Sequence, residues 1–240
     1  MKDFYLKFRR LTISDMADYI LEIDDVISKE FCQDVISRFE KDERKVIGAT
    51  IGGINEKIKK SVDLPISMKG LREEWQDIID KIGTHVNQAL LQYQEYMASD
   101  GLDRQFSIYK TINNSTIGLP QIQKTEKGGF YVWHHDGDLN RIFTYIFYLN
   151  DIKEDIGGTT EFLCGKTIQP KAGKLVIFPS SLTYIHRGTE LKEGTKYIMT
   201  NFIYQGPPIF RHPKDEEVGS ENSKITPIEE EIPEPENDDI

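Results

Sequence analysis

Apolar positions in the first hundred residues recur at helical spacing. Ser28 is a favourable N-cap for a helix over Lys29 to Asp42, where Phe31, Val35, Ile36 and Phe39 share a face. A longer helical pattern runs from Leu71 to Met97, with Trp75, Ile78, Ile79, Ile82, Val86, Ala89, Leu90, Tyr93 and Tyr96 on or near one face. His85 lies among these positions with no carboxylate or thiol a turn away, so it reads as a half-buried helix histidine rather than a ligand. Between the helices, Gly52, Gly53, Asn55 and the run Lys57 to Lys60 show no clean period and read as a strand pair or a flexible loop.

After Gly101 the rhythm changes. Short runs rich in Ile, Tyr, Phe, Val and Thr alternate with Gly, Pro, Asp and Asn, which predicts strands at Phe106 to Thr111, Gln121 to Lys124, Phe130 to His134, Arg141 to Leu149, Thr159 to Leu163, Leu175 to Phe178 and Lys196 to Tyr204. Strands this short and closely spaced imply a sandwich or jelly roll. Arg141 to Leu149 is apolar or aromatic on both alternating faces, so it should be central and covered on both sides, with the N-terminal helices on its outer face. The expected fold class is mainly β with N-terminal helices (α+β). Residues 1–100 would be helical support, 101–212 the β core of the same domain, and 213–240 a tail.

Charge sharpens that last boundary. The 240 residues carry a formal net charge of −10, but Lys214 to Ile240 alone holds eleven acidic and two basic residues, leaving the first 213 close to neutral. With three prolines and no aromatic residue, the tail cannot bury enough surface to offset its ordering entropy and is expected to be disordered. A near-neutral core without a basic stripe argues against a nucleic-acid partner. The charged N-terminus is followed by no apolar stretch of spanning length, so no membrane partner is expected and a cytoplasmic location is the default. Cys32 and Cys164 lie far apart and read as reduced thiols.

Chemistry concentrates in three histidines of the β half. Tyr131-Val-Trp-His134-His135-Asp136 ends a strand at a turn, and His134 and Asp136, two apart, can project to one side of an extended backbone. His186 follows fifty residues after Asp136, at the expected end of another strand beyond Phe178-Pro179. Two imidazoles and one carboxylate suit Fe(II) and leave three adjacent positions for an organic co-substrate and O₂; a closed zinc site would need a fourth ligand. The register follows from residue types: two residues after His135 stands Gly137, which cannot bind metal, and two before Asp138 stands another Asp. His135 should therefore face outward or toward substrate, and Asp138 should serve the turn.

An H-x-D with a distant His recurs by chance, but here it sits in an ordered frame: Gly128 to Asp136, Arg141 to Asn150, Gly157-Gly-Thr-Thr160-Glu-Phe162, Gly173 to Phe178, and His186 followed ten residues later by Lys196-Tyr197. This frame resembles the prolyl-4-hydroxylase-like group of Fe(II)- and 2-oxoglutarate-dependent dioxygenases. The resemblance is firm over residues 120 to 205; Tyr19 to Phe31 and Trp75 fit it loosely. It implies a double-stranded β-helix core, Fe(II) on His134, Asp136 and His186, and 2-oxoglutarate and O₂ as co-substrates, with ascorbate admitted as reductant. It also implies that Lys196 pairs with the distal carboxylate of 2-oxoglutarate, as a point charge where Arg would give a planar fork. Tyr148, in register with Thr144 and Ile146, is a donor suited to that carboxylate, and Thr160 offers a hydroxyl to the same pocket. The group often has Tyr nine residues before the first ligand; this chain has Thr125. The favoured substrate is a prolyl or other side chain of a peptide, with Tyr131 and Trp133 as contacts and Gly52 to Lys60 as a lid, though ordinary strand packing would equally account for both aromatics. A free amino acid or small metabolite, and a non-catalytic metal-binding β-sandwich, are the competing readings.

Overall fold

In a computed structural model of the chain, residues 17–99, 112 and 114–208 are described. A 3-10 turn at Ala17–Tyr19 leads to β1 (Leu21–Ile23) and then to helix α1 (Lys29–Lys41). The Ser28 hydroxyl accepts from the Phe31 amide at 3.2 Å, the expected cap. β2 (Val46–Ile47) and β3 (Val62–Pro65) flank the segment that lacked a period, and helices α2 (Leu71–Glu74) and α3 (Gln76–Ser99) follow. The single long helix expected from Leu71 is thus interrupted at Trp75, whose backbone leaves helical geometry at φ −107°, ψ 13°. Hydrogen bonding continues through it: Trp75 donates to Leu71 and its carbonyl accepts from both Ile78 and Ile79. The break is therefore a local dihedral change at a buried indole, invisible to a periodicity that it barely disturbs. The Tyr96 side chain and the expected strand at Phe106 to Thr111 lie outside the described residues, as does the tail.

The β half comprises β4 (Ser115–Ile117), β5 (Gln121–Glu126), β6 (Tyr131–His134), β7 (Arg141–Tyr148), β8 (Thr160–Phe162), β9 (Thr167–Ile168), β10 (Leu175–Pro179), β11 (His186–Gly188) and β12 (Thr195–Gln205). An eight-stranded antiparallel sheet has the order β1-β10-β7-β12-β5-β3-β2, with β4 also on β12. A four-stranded sheet has the order β6-β11-β8-β9. The strand beyond Phe178-Pro179 is separate, as expected, but His186 opens it and does not end it: Ser180 to Ile185 carry the chain across from β10 to β11 in the smaller sheet.

β7 is central and buried on both faces, as its sequence required. Phe143, Tyr145 and Phe147 pack with Val35 and Phe39 of α1 and Ile78, Ile82, Val86 and Leu90 of α3. The alternate residues Ile146 and Tyr148 join a second cluster with Phe162, Ile168, Val176 and Phe178, drawn from both sheets. This antiparallel two-sheet core, mostly β with few helices, is the double-stranded β-helix arrangement, and its second cluster walls the candidate site.

Candidate metal centre

The site is built where the smaller sheet brings β6 and β11 side by side. His134 and His186 are cross-strand partners in that pair, so two residues 52 apart in sequence become neighbours with ring centroids 4.2 Å apart. Asp136 follows β6 by two residues, with Oδ1 3.6 Å from His134 Nε2 and Oδ2 3.6 Å from His186 Nε2. The candidate ligand atoms of these three residues all lie within 4.8 Å of one another, and the group could hold a metal ion.

The donors are in the form a metal needs. Nδ1 of His134 is 2.8 Å from the Val132 carbonyl and Nδ1 of His186 is 3.0 Å from that of Tyr184. A carbonyl only accepts, so Nδ1 of each ring carries a proton, and Nε2 of each ring turns toward Asp136. Burial, reinforced by the His186 imidazole alongside, pushes His134 down to about 4, so it stays neutral through the physiological range. Phe162 and Phe178 flank His186 at centroid distances of 5.5 and 4.8 Å, while Tyr131 stacks on His134 at 3.6 Å and 17°. His135 is exposed and is not one of the three converging residues, and the Asp138 carbonyl accepts from the Arg141 amide, making the turn.

The remaining expected site residues divide. Lys196, 6% exposed near the start of β12, donates to the Gly158 carbonyl at 2.9 Å and makes no ion pair among the described residues. Desolvation alone lowers its ammonium to about 8. Its position beside the trio follows from Gly188, two residues after His186: a Cβ built there would lie 3.8 Å from Lys196 Nζ. Gly157 and Gly158 both have φ in the left-handed region, +77° and +74°, in the turn that presents the Gly158 carbonyl to this lysine. Tyr148 is fully buried and its hydroxyl donates to Thr160 Oγ1 at 2.7 Å; Thr160 is the register partner of Gly188. Thr125 is the cross-strand partner of Lys196, so its side chain shares that face. Trp133 stands apart: it is 41% exposed and its ring partner is Arg187, at 4.6 Å.

Two polar residues of the site escaped the sequence. Thr144 donates to Asp136 Oδ2 at 2.7 Å and lies 2.9 Å from Ser180 Oγ. The alternation of β7 placed Thr144 on the inner face, but nothing in the pattern marked Ser180.

Residues 120–204 match the family described as the 2OG-Fe(II) oxygenase superfamily. Over 74 residues, 29% of this chain, the sequence is 38% identical to Procollagen-lysine,2-oxoglutarate 5-dioxygenase 2 of Homo sapiens and of Mus musculus; the match spans 10% of those proteins' length. Among solved structures, the viral collagen prolyl hydroxylase of Paramecium Bursaria Chlorella virus-1, in its 2OG complex, aligns with TM-score 0.56 at 23% identity, covering 77% of this chain and 95% of that one. A Pseudomonas putida prolyl-4-hydroxylase gives 0.54 at 16%, covering 80% and 97%. A prolyl hydroxylase from Trichoplax adhaerens, bound to a hypoxia inducible factor peptide fragment, gives 0.57 at 13%, covering 80% and 89%. At these identities the structures establish the shared fold. The superfamily's description carries its two cofactors, Fe(II) and 2-oxoglutarate. The donor set fits the metal, two imidazoles and a carboxylate converging with no fourth protein ligand among the described residues.

Proposed function

From the match of residues 120–204 to the 2OG-Fe(II) oxygenase superfamily, we propose that the chain hydroxylates an unactivated C–H bond in a polypeptide side chain, prolyl foremost. The observation that carries this reading is a buried ammonium with no acidic partner among the described residues, beside a three-donor metal constellation. An isolated buried charge is costly unless something neutralises it, and the distal carboxylate of 2-oxoglutarate is the missing partner for Lys196. Thr160, which accepts from Tyr148, keeps its own hydroxyl proton to donate to that carboxylate. Thr125 lies on the Lys196 face and completes the polar lining where the group often has a tyrosine.

Bound Fe(II) with 2-oxoglutarate and O₂ supplies the oxidising chemistry: the 2-oxo acid loses CO₂ and becomes succinate with one oxygen atom, and the other enters the substrate C–H bond as hydroxyl. The protein's contribution is placement. His134, Asp136 and His186 would hold the metal, Lys196 would orient the co-substrate, and Phe162, Phe178 and Ile146 keep water from the inner face. Tyr131, stacked on His134, would contact substrate beside the metal, with exposed Trp133 on the same strand as a second candidate contact.

A polypeptide substrate is supported by the relatives' own names, which specify procollagen lysine and prolyl residues. A cytoplasmic setting agrees with two free cysteines, Cys32 and Cys164; among the described residues no helix is long and apolar enough to cross a membrane. The test is succinate release by the purified chain with Fe(II), 2-oxoglutarate and ascorbate, offered proline-rich peptides, lysine-containing collagen-like peptides and free amino acids. Succinate formation coupled to a gain of one oxygen atom on a prolyl peptide is expected. Coupling to a free amino acid would replace the peptide reading, and no 2-oxoglutarate turnover with any substrate, coupled or not, would overturn the enzyme.

A further inference from the structure

Asp136 is held by more than the two imidazoles. Thr144 on β7 and Ser180 just beyond β10 are 2% and 1% exposed, among the few buried polar side chains of the fold. The Thr144 hydroxyl donates to Asp136 Oδ2 at 2.7 Å and lies 2.9 Å from Ser180 Oγ. Proton inventory gives the pair a direction. Thr144 has one hydroxyl proton and gives it to the carboxylate, so the second contact requires Ser180 as donor, and the relay runs Ser180 to Thr144 to Asp136.

The backbone around this relay is locked. The Ser180 amide donates to the Ile142 carbonyl at 3.0 Å, and Phe178 is the register partner of Thr144. A Cβ built on Gly137 would fall 2.8 Å from the Ser180 carbonyl oxygen, so the turn after Asp136 lies directly on Ser180. The carboxylate needs such a constraint, because each of its oxygens faces an imidazole at 3.6 Å, and an unrestrained group could offer either oxygen or both.

We propose that Thr144 and Ser180 are positioning residues of the metal centre, engaging Oδ2 so that Asp136 presents Oδ1 as its single donor and leaves the other coordination positions to co-substrate and O₂. The proposal rests on His134, Asp136 and His186 being metal ligands. Hydrogen bonds to a metal-bound carboxylate typically change metal affinity about 10- to 100-fold when removed, and here removal also frees the second oxygen to bind.

The experiment is anaerobic titration of the full chain with Co(II), followed by visible absorption and by chelator competition, with apo thermal unfolding as the fold control. Thr144→Val keeps the shape and loses the hydroxyl; it is expected to bind Co(II) about tenfold more weakly, with weaker d–d bands as the coordination number rises. Thr144→Ser should restore both affinity and spectrum, and Ser180→Ala should shift both in the Thr144→Val direction by a smaller amount. Wild-type affinity and spectrum in Thr144→Val overturn the proposal, as does a loss in Thr144→Ser equal to that in Thr144→Val. Should Thr144→Val not fold, an unchanged Ser180→Ala decides against it. A wild-type chain that binds no Co(II) would instead overturn the metal-centre reading beneath it, so the two failures are distinct.

Discussion

A single lysine gives the site its clearest pH signature. Buried Lys196 titrates at about 8 against 10.5 for an exposed lysine. Only the protonated form pairs with a carboxylate, so 2-oxoglutarate affinity, measured by anaerobic calorimetry on the metal-loaded chain, should be flat below pH 7.5 and fall about tenfold per unit well above pH 8. Apo stability should move the other way. Between pH 8 and 10.5 the unfolded chain binds more protons at this residue than the native one, so its contribution to unfolding free energy rises with pH across that window. Lys196→Met should abolish both dependences. At the metal, His134→Ala or Asp136→Ala should remove metal binding as read by metal content, whereas His135→Ala should retain it; the reverse pattern would place the ligand register one residue off. These residues were legible because ligand chemistry excluded their neighbours: Gly137 cannot bind metal. Thr144 and Ser180 were not, because a hydroxyl becomes a carboxylate donor only by being buried against one.

At the scale of elements, the aperiodic segment before β3 is a brace between the two sheets. The Lys60 amide donates to the Phe130 carbonyl at 2.9 Å, and the Val132 amide donates to that of Ile58 at 3.0 Å, extending the edge of β6. Lys59, 5% exposed at its side chain, then meets Asp63 of β3 at 2.6 Å, and Asp63 also accepts from Ser61 and Gln121. Lys59 Nζ lies 5.7 Å from the centroid of Tyr131, the ring stacked on His134. Asp63→Leu leaves the ammonium buried and unpaired and should cost about 3–5 kcal/mol in urea unfolding, whereas Lys59→Met combined with Asp63→Leu should recover most of it. Periodicity could not find this brace, since a two-hydrogen-bond bridge holds no repeating apolar face. The helices and β7 were legible for the opposite reason: each presents a full apolar stripe, or two, to a core.

For the whole molecule, the bulk of the net charge belongs to the segment after His212, not to the part that holds the site. Truncation after His212 should therefore leave uncoupled 2-oxoglutarate turnover within about twofold of the full chain, checked by succinate release, since every candidate site residue precedes the tail in sequence and salt screens long-range charge effects. A basic peptide substrate is the circumstance in which the tail would change affinity, and salt dependence of that affinity, compared between full and truncated chains, measures it.

What the sequence determined by itself was the inventory and its local geometry: apolar stripes at helical spacing, short runs at strand spacing, H-x-D on one side of an extended backbone, and a lysine ten residues after the third candidate ligand. These depend on neighbours within a few residues, where spacing dictates direction. Only the tertiary structure decided that His186 opens a strand of its own in the smaller sheet, that Lys196 meets no anion among the described residues, and that Ser180 backs Thr144 onto Asp136. Those facts depend on which strands lie side by side, and pairing is settled by burial and hydrogen bonding summed over the whole chain, which no local pattern records.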